Sequence, residues 1–173
     1  MVFLEYINLE KIRKALLYLL CDLVAIWLQT TVFAVLAPLG VKPFFVPVIA
    51  VAVGLWEGGV WGGVLGLIAG LQTDMAYSES TVLYMVLFTA YGFAAGILGK
   101  YYLNRRFPGY VVISAAALVI TAVCQIIPFW IFRSINLFYL LPVMGLQILW
   151  SLPFCLPAYF SVKAIALSDQ SGD

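Results

Sequence analysis

Gly58-Gly59-Val60-Trp61-Gly62-Gly63-Val64-Leu65-Gly66-Leu67-Ile68-Ala69-Gly70-Leu71-Gln72-Thr73-Asp74 is the stretch that decides how this sequence is read. Gly58, Gly62, Gly66 and Gly70 recur every four residues, and Asp74 continues the row. Residues four apart share a helix face, so the segment predicts one bare stripe that ends in a carboxylate. In a water-soluble helix each such glycine costs about 1 kcal/mol relative to alanine. In lipid, where no hydrophobic force drives helices together, a bare stripe lets two backbones approach and gain packing contacts. The stretch therefore predicts helices packed inside a bilayer.

Composition points the same way. Of 173 residues, 65% are hydrophobic and only 10% charged, with a net charge of +1, too little polar surface to coat a soluble globule. A near-neutral chain without a basic patch gives no support for nucleic-acid binding. There is no histidine, which removes the commonest general base and metal ligand. Cys21, Cys124 and Cys155 stand singly in apolar runs, without ligand-like spacing, and read as small hydrophobes. No nucleophile–base pair, phosphate loop or metal cluster occurs, so neither a catalytic residue nor a metal or cofactor is assigned.

Apolar runs predict an all-α integral membrane protein with six crossings, at residues 15–36, 43–56, 58–76, 81–99, 110–132 and 138–162. The second is short, contains Pro47, and is followed at once by Glu57 and two glycines, which read as a tight turn. The alternative is one long or broken helix over 43–76. The first run follows Lys11, Arg13 and Lys14 but is too long for a signal-peptide core and lacks a small-x-small cleavage site, so it reads as a retained helix. With six crossings and the N-terminus inside, Lys11, Arg13, Lys14, Lys100, Arg105, Arg106 and Lys163 are cytoplasmic, and only Lys42 and Arg133 fall outside. Both termini are then cytoplasmic. Residues 1–14 form a cytoplasmic segment, either an interfacial amphipathic helix or a disordered start; 15–162 form one six-helix membrane domain; 163–173 form a short tail. The loop from Lys100 to Gly109, with Arg105 and Arg106, is the principal basic feature, and Trp56, Trp61 and Tyr110 suit the headgroup level.

Polar residues within the spans are the candidate sites, because burying them in lipid is costly. Asp22 and Gln29 lie on one face of the first helix, and either line a polar site or serve hydration and helix contact. Asp74 is either a solvated interfacial aspartate or the working end of the glycine row. Gln125 and Gln147 read as hydrogen-bonding glue between helices. Gly92 and Gly96 form a second close-packing pair, and Pro142, Gly145, Pro153 and Pro157 predict a kinked last helix.

The block Gly66-Leu67-Ile68-Ala69-Gly70-Leu71-Gln72-Thr73-Asp74, a short loop, and the apolar helix ending Gly92-Phe93-Ala94-Ala95-Gly96 resemble the bacterial rod-shape-determining MreD family. The loop after Asp74 lacks the glycine often found there, and Pro43 is followed by Phe44 and Phe45 where a polar residue is common. The resemblance implies a non-enzymatic subunit of the cell-elongation machinery in the bacterial cytoplasmic membrane. It would bind the single-pass protein MreC, and through it connect MreB filaments to peptidoglycan synthases. That family is similar in architecture to the substrate-binding S-components of energy-coupling-factor vitamin transporters, which supply the alternative function. S-components often carry Ala-x-x-x-Ala in the first helix; here Ala15, Ala25 and Ala34 lack that spacing, and Ala90 and Ala94 have it in the fourth.

Overall fold

The computed structural model describes residues 9–36, 40–77, 82–101, 107–133 and 137–168. Every regular element among them is helical. Helix α1 (Leu9–Trp27) runs through a π-helical turn, Leu28–Val32, into the short α2 (Phe33–Leu36). Helices α3 (Val46–Glu57), α4 (Gly59–Ala76), α5 (Leu83–Tyr101) and α6 (Phe107–Arg133) follow. The last apolar run forms α7 (Leu137–Ser151), a 3-10 turn at Leu152–Phe154, and α8 (Cys155–Leu167).

Four stretches are long and apolar enough to cross a membrane: Lys11–Val32, Leu83–Tyr101, Phe107–Ile127 and Phe138–Leu167. Helix α3, at 12 residues, spans only about 18 Å at the usual rise, well short of a hydrocarbon core of about 30 Å. It is nevertheless the centre of the bundle, with every residue from Val46 to Leu55 buried. Its sequence is apolar all round, so no side prefers solvent. Helices α1, α4, α5, α6 and α8 all pack against it.

Residues 43–76 form two helices with a single residue, Gly58, between them, so Gly58 is the turn residue and not the first member of the α4 packing row that the four-residue spacing predicts: a Cβ there would meet nothing within 4 Å. Gly58 has φ 97°, a left-handed conformation that glycine adopts without a Cβ penalty. Its N–H donates to the Gly54 carbonyl at 2.9 Å, and its own carbonyl accepts from the Gly62 N–H at 2.9 Å. These two bonds tie the turn to both helices, and α3 and α4 lie antiparallel.

The boundaries differ from the sequence-based ones in informative places. Residues 9–14 belong to α1 rather than to a separate interfacial segment, while residues 1–8 lie outside the described set. The last helix breaks at Pro153, which lacks the N–H that continuous helix would need, whereas Pro142 is accommodated inside α7. Tyr110, which the sequence reading set facing the headgroups, is fully buried within the protein, and its hydroxyl donates to the Val48 carbonyl at 3.2 Å.

Candidate functional site

The glycine row of α4 lies against the backbone of α5. A methyl group on Gly62 would fall onto the Gly92 carbonyl and the Gly54 Cα, and one on Gly66 onto the Phe88 carbonyl. Gly70 meets Met85 and Tyr84 in the same way, and Gly96 meets Gly58 and Gly59. As the α4 number rises by one turn, the α5 number falls by one, so the helices run antiparallel with their backbones touching along the whole seam. Gly54 of α3 joins at the Gly62–Gly92 level, where three helices converge on glycine.

Asp74 completes this seam. Its carboxylate accepts from the Tyr84 N–H at 3.2 Å and the Met85 N–H at 2.9 Å. Those are first-turn donors of α5, which have no partner inside their own helix. A negative charge at a helix N-terminus is also favoured by the helix dipole. The residue that ends the bare row of α4 thus caps the neighbouring helix.

Helix α3 begins deep among other helices, so its free N–H groups need partners. Phe44 N–H donates to Ser151 Oγ at 2.8 Å, and Phe45 N–H to Gln29 Oε1 at 3.0 Å. Val46 N–H points at the same Gln29 oxygen at 3.4 Å. The Gln29 amide nitrogen donates in turn to the Tyr77 hydroxyl at 3.1 Å. Gln29 is 1% exposed and lies in the π-helical turn. Within that turn Thr30 Oγ1 bonds back to the Ile26 carbonyl at 2.8 Å, a local competitor for the helix ladder. An aromatic cluster closes over this end: Phe45 stacks on Phe154 at 4.2 Å, and Phe33 meets both rings edge-on.

Gln125 and Gln147 form a chain across three helices. Gln147 Nε2 of α7 donates to Gln125 Oε1 of α6 at 3.1 Å, and Gln125 Nε2 donates to the Tyr84 hydroxyl of α5 at 2.9 Å. One turn from Gln125 along α6, the hydroxyls of Thr121 and of Tyr91 in α5 share a hydrogen bond at 3.0 Å.

The opposite end of the bundle carries an ion pair. Tyr18 donates to Glu57 Oε1 at 2.6 Å, and Lys14 stands 3.8 Å from the same oxygen. Lys163 of α8 lies over the rings of Trp56 and Tyr159. Lys100 is exposed at the end of α5 beside Tyr101. Arg105 and Arg106 lie outside the described residues.

Asp22 differs from Gln29, Asp74, Gln125 and Gln147. It is 6% exposed, and neither carboxylate oxygen has a hydrogen-bond partner among the described residues; Gln72 Oε1 of α4 is likewise buried without one among them. It lines a small pocket with Tyr18, Leu19, Ile49, Ala50, Val53, Leu65 and Ala69, between α1, α3 and α4. Asp22 and Gln29, read from sequence as one polar face, are therefore in different surroundings: one serves α3, the other stands alone. Among the described residues no three His, Cys, Asp or Glu side chains converge as a metal site would require.

Several working residues carry no distinctive sequence signal. Ser151 and Tyr84 sit in apolar runs and Tyr77 at the start of a polar loop, and their partners are many residues away in the chain. Glu57 reads as a turn residue, and the hydroxyl that meets it comes from α1. The π-helical turn has no local motif beyond Gln-Thr-Thr at Gln29, Thr30 and Thr31. No protein-family model, curated protein or solved structure matches the chain.

Proposed function

We propose that this chain is a non-enzymatic membrane scaffold of the MreD type, a six-crossing bundle in the bacterial cytoplasmic membrane with both termini cytoplasmic. It would hold a single-pass MreC-like partner and act on MreB filaments and peptidoglycan synthases only through it. The observation that carries the reading is how the polar residues are used. Gln29, Asp74, Gln125 and Gln147 are engaged in capping helices or joining them, so the groups that would otherwise orient a small molecule are taken up in holding the bundle. Rigid helix faces are what a structural subunit offers a partner's transmembrane segment. The two stretches that carry the family resemblance both lie in the α4–α5 interface: Gly66–Asp74 packs against Tyr84–Thr89, and Gly92 and Gly96 pack against Gly58–Gly63.

The grouping of chain ends supports six crossings. Lys14 at the start of α1, Glu57 at the α3–α4 turn and Lys163 in α8 gather at one end. Gln29, Phe45, Tyr77 and Ser151 gather at the other. Chain direction alternates between these ends, and the short α3 crosses with them inside a protein shell instead of against lipid.

The test is depletion in a rod-shaped host. Cells are expected to round up while uptake of thiamin, riboflavin and biotin is unaffected. Rod-shaped cells that fail to grow on limiting vitamin would overturn the scaffold reading in favour of the S-component one. In a round host, co-purification with the MreC-like protein from membranes replaces the shape assay. A reporter active only outside the cytoplasm, fused after Ser171, is expected to stay silent; a strong signal contradicts the orientation.

A further inference from the structure

Asp22 sits at mid-bundle with no donor for either oxygen, among side chains that give an ionised carboxylate nothing in return for its lost water. From α3 it faces Ile49, Ala50 and Val53, and from α4 Leu65 and Ala69, none of them titratable. On its own helix the neighbours are Cys21 and Tyr18. Lys163 of α8 is turned to Trp56 and Tyr159 and does not line the pocket. The pocket is about 10 Å3, room for one water at the most, and Asp22 is its only carboxylate, so it cannot supply the oxygen cage that a hard cation needs.

The polar surroundings are one-sided. Tyr18 lies one helical turn from Asp22 on the same face of α1 and lines the same pocket. Its hydroxyl is bonded to Glu57 at 2.6 Å, and Glu57 pairs with Lys14 at the charged end of the bundle. Glu57 and Lys14 retain 22% and 17% side-chain exposure, so this pair reaches the surface.

We propose that Asp22 is a proton-binding site, present as the uncharged acid in the folded protein, whose proton exchanges only with the aqueous phase at the Lys14–Glu57 end. The path is Asp22, one water in the pocket, the Tyr18 hydroxyl, and Glu57. The Asp22 carboxyl gives its proton to the water, the water passes one to the Tyr18 oxygen, and Tyr18 releases its own to the Glu57 carboxylate. One proton moves from Asp22 to Glu57, and phenol and water are restored. The proposal is independent of the scaffold reading, because it depends on one pocket and not on a partner.

Infrared spectroscopy of the full chain in lipid vesicles at neutral pH tests it. The wild type is expected to show the carbonyl band of a protonated carboxylic acid that shifts in heavy water. The band is expected to vanish in Asp22→Asn and to persist in Asp74→Asn. Tyr18→Phe is expected to slow exchange of that proton by about a hundredfold, the low end of what a positioned proton carrier contributes. A variant that merely loosened the fold would accelerate exchange instead. Absence of the band in the wild type, its survival in Asp22→Asn, or unslowed exchange in Tyr18→Phe overturns the proposal. If Asp22→Asn is not recovered folded, the wild type is labelled with 13C at its aspartate carboxyls. A downshift of the acid band supports the assignment, and an unshifted band overturns it.

Discussion

The α4–α5 pair and the α6–α7 pair are neighbouring helix contacts held in opposite ways. Along α4–α5 there is almost no side chain: glycine lies on backbone from Gly96 to Gly70, and one carboxylate closes the end. Between α6 and α7 the hydrogen-bonded link is an amide pair, Gln125 and Gln147. Gly145 of α7 faces open space, with nothing within 4 Å of where a Cβ would be. The two regions contain the same residue type with opposite consequences. A glycine in a membrane helix marks a close seam when it belongs to a row and meets an opposing backbone, and marks nothing when it stands alone.

Substitutions at four sites would break or sharpen this contrast, beginning with the most damaging. Gly92→Leu puts a branched side chain onto the Gly62 backbone, where no flexible neighbour can yield. Overpacking of a tight site commonly costs about 1–3 kcal/mol, and a backbone-lined site belongs at the top of that range. Recovery of folded protein in mild detergent is expected to collapse; wild-type recovery would mean that the seam opens freely.

Gln29→Leu leaves the Phe45 N–H, and the weaker Val46 contact, without an acceptor inside the bundle. A buried unpaired donor costs about 1–3 kcal/mol, so thermal unfolding in detergent is expected at clearly lower temperature. Asp74→Ala removes the trans cap of α5 and is expected to cost about 1 kcal/mol, with Asp74→Asn milder because one acceptor oxygen remains. Equal stability of the alanine and wild-type proteins would show that water caps α5 as well as the carboxylate does. The smallest effect belongs to the amide pair: a double-mutant cycle on Gln125→Leu and Gln147→Leu is expected to give a coupling of about 0.6 kcal/mol, typical for hydrogen bonds between membrane helices. A coupling as large as the glycine effect would erase the contrast between the two regions.

Much of this arrangement was legible in the sequence, and the reasons are local. The helices themselves follow from apolar runs, and the α3–α4 turn from Trp56-Glu57-Gly58-Gly59. The glycine row is visible because helical periodicity alone places Gly62, Gly66 and Gly70 on one face; the same periodicity wrongly adds Gly58, which forms the α3–α4 turn. Its partner helix was open to inference because Gly92 and Gly96 repeat the spacing. The role of Asp74 was harder, since a carboxylate near a helix end looks solvated until the neighbouring N-terminus is placed beside it. What escaped the sequence depends on tertiary geometry. That Gln29 serves the buried start of α3 requires knowing that α3 is too short to reach the surface. That Ser151 joins it requires the break at Pro153 to bring α7 to the same place. Tyr110 shows the same limit: an aromatic near a predicted boundary looked interfacial, yet it is enclosed by α3, α6 and α8.

The central claim is that the glycine row is a backbone-to-backbone seam, and leucine substitution at three matched positions tests it most directly. Gly66 lies on the Phe88 backbone, Val64 is 50% exposed on the same helix, and Gly145 faces open space in α7. Folded yield and unfolding temperature in mild detergent are compared for Gly66→Leu, Val64→Leu and Gly145→Leu, with Gly66→Ala as the intermediate case. The account predicts severe loss for Gly66→Leu, a smaller loss for Gly66→Ala, and no loss at Val64 or Gly145, where leucine also raises helix propensity. If Gly66→Leu is recovered as well as Val64→Leu, the row faces lipid and the seam does not exist.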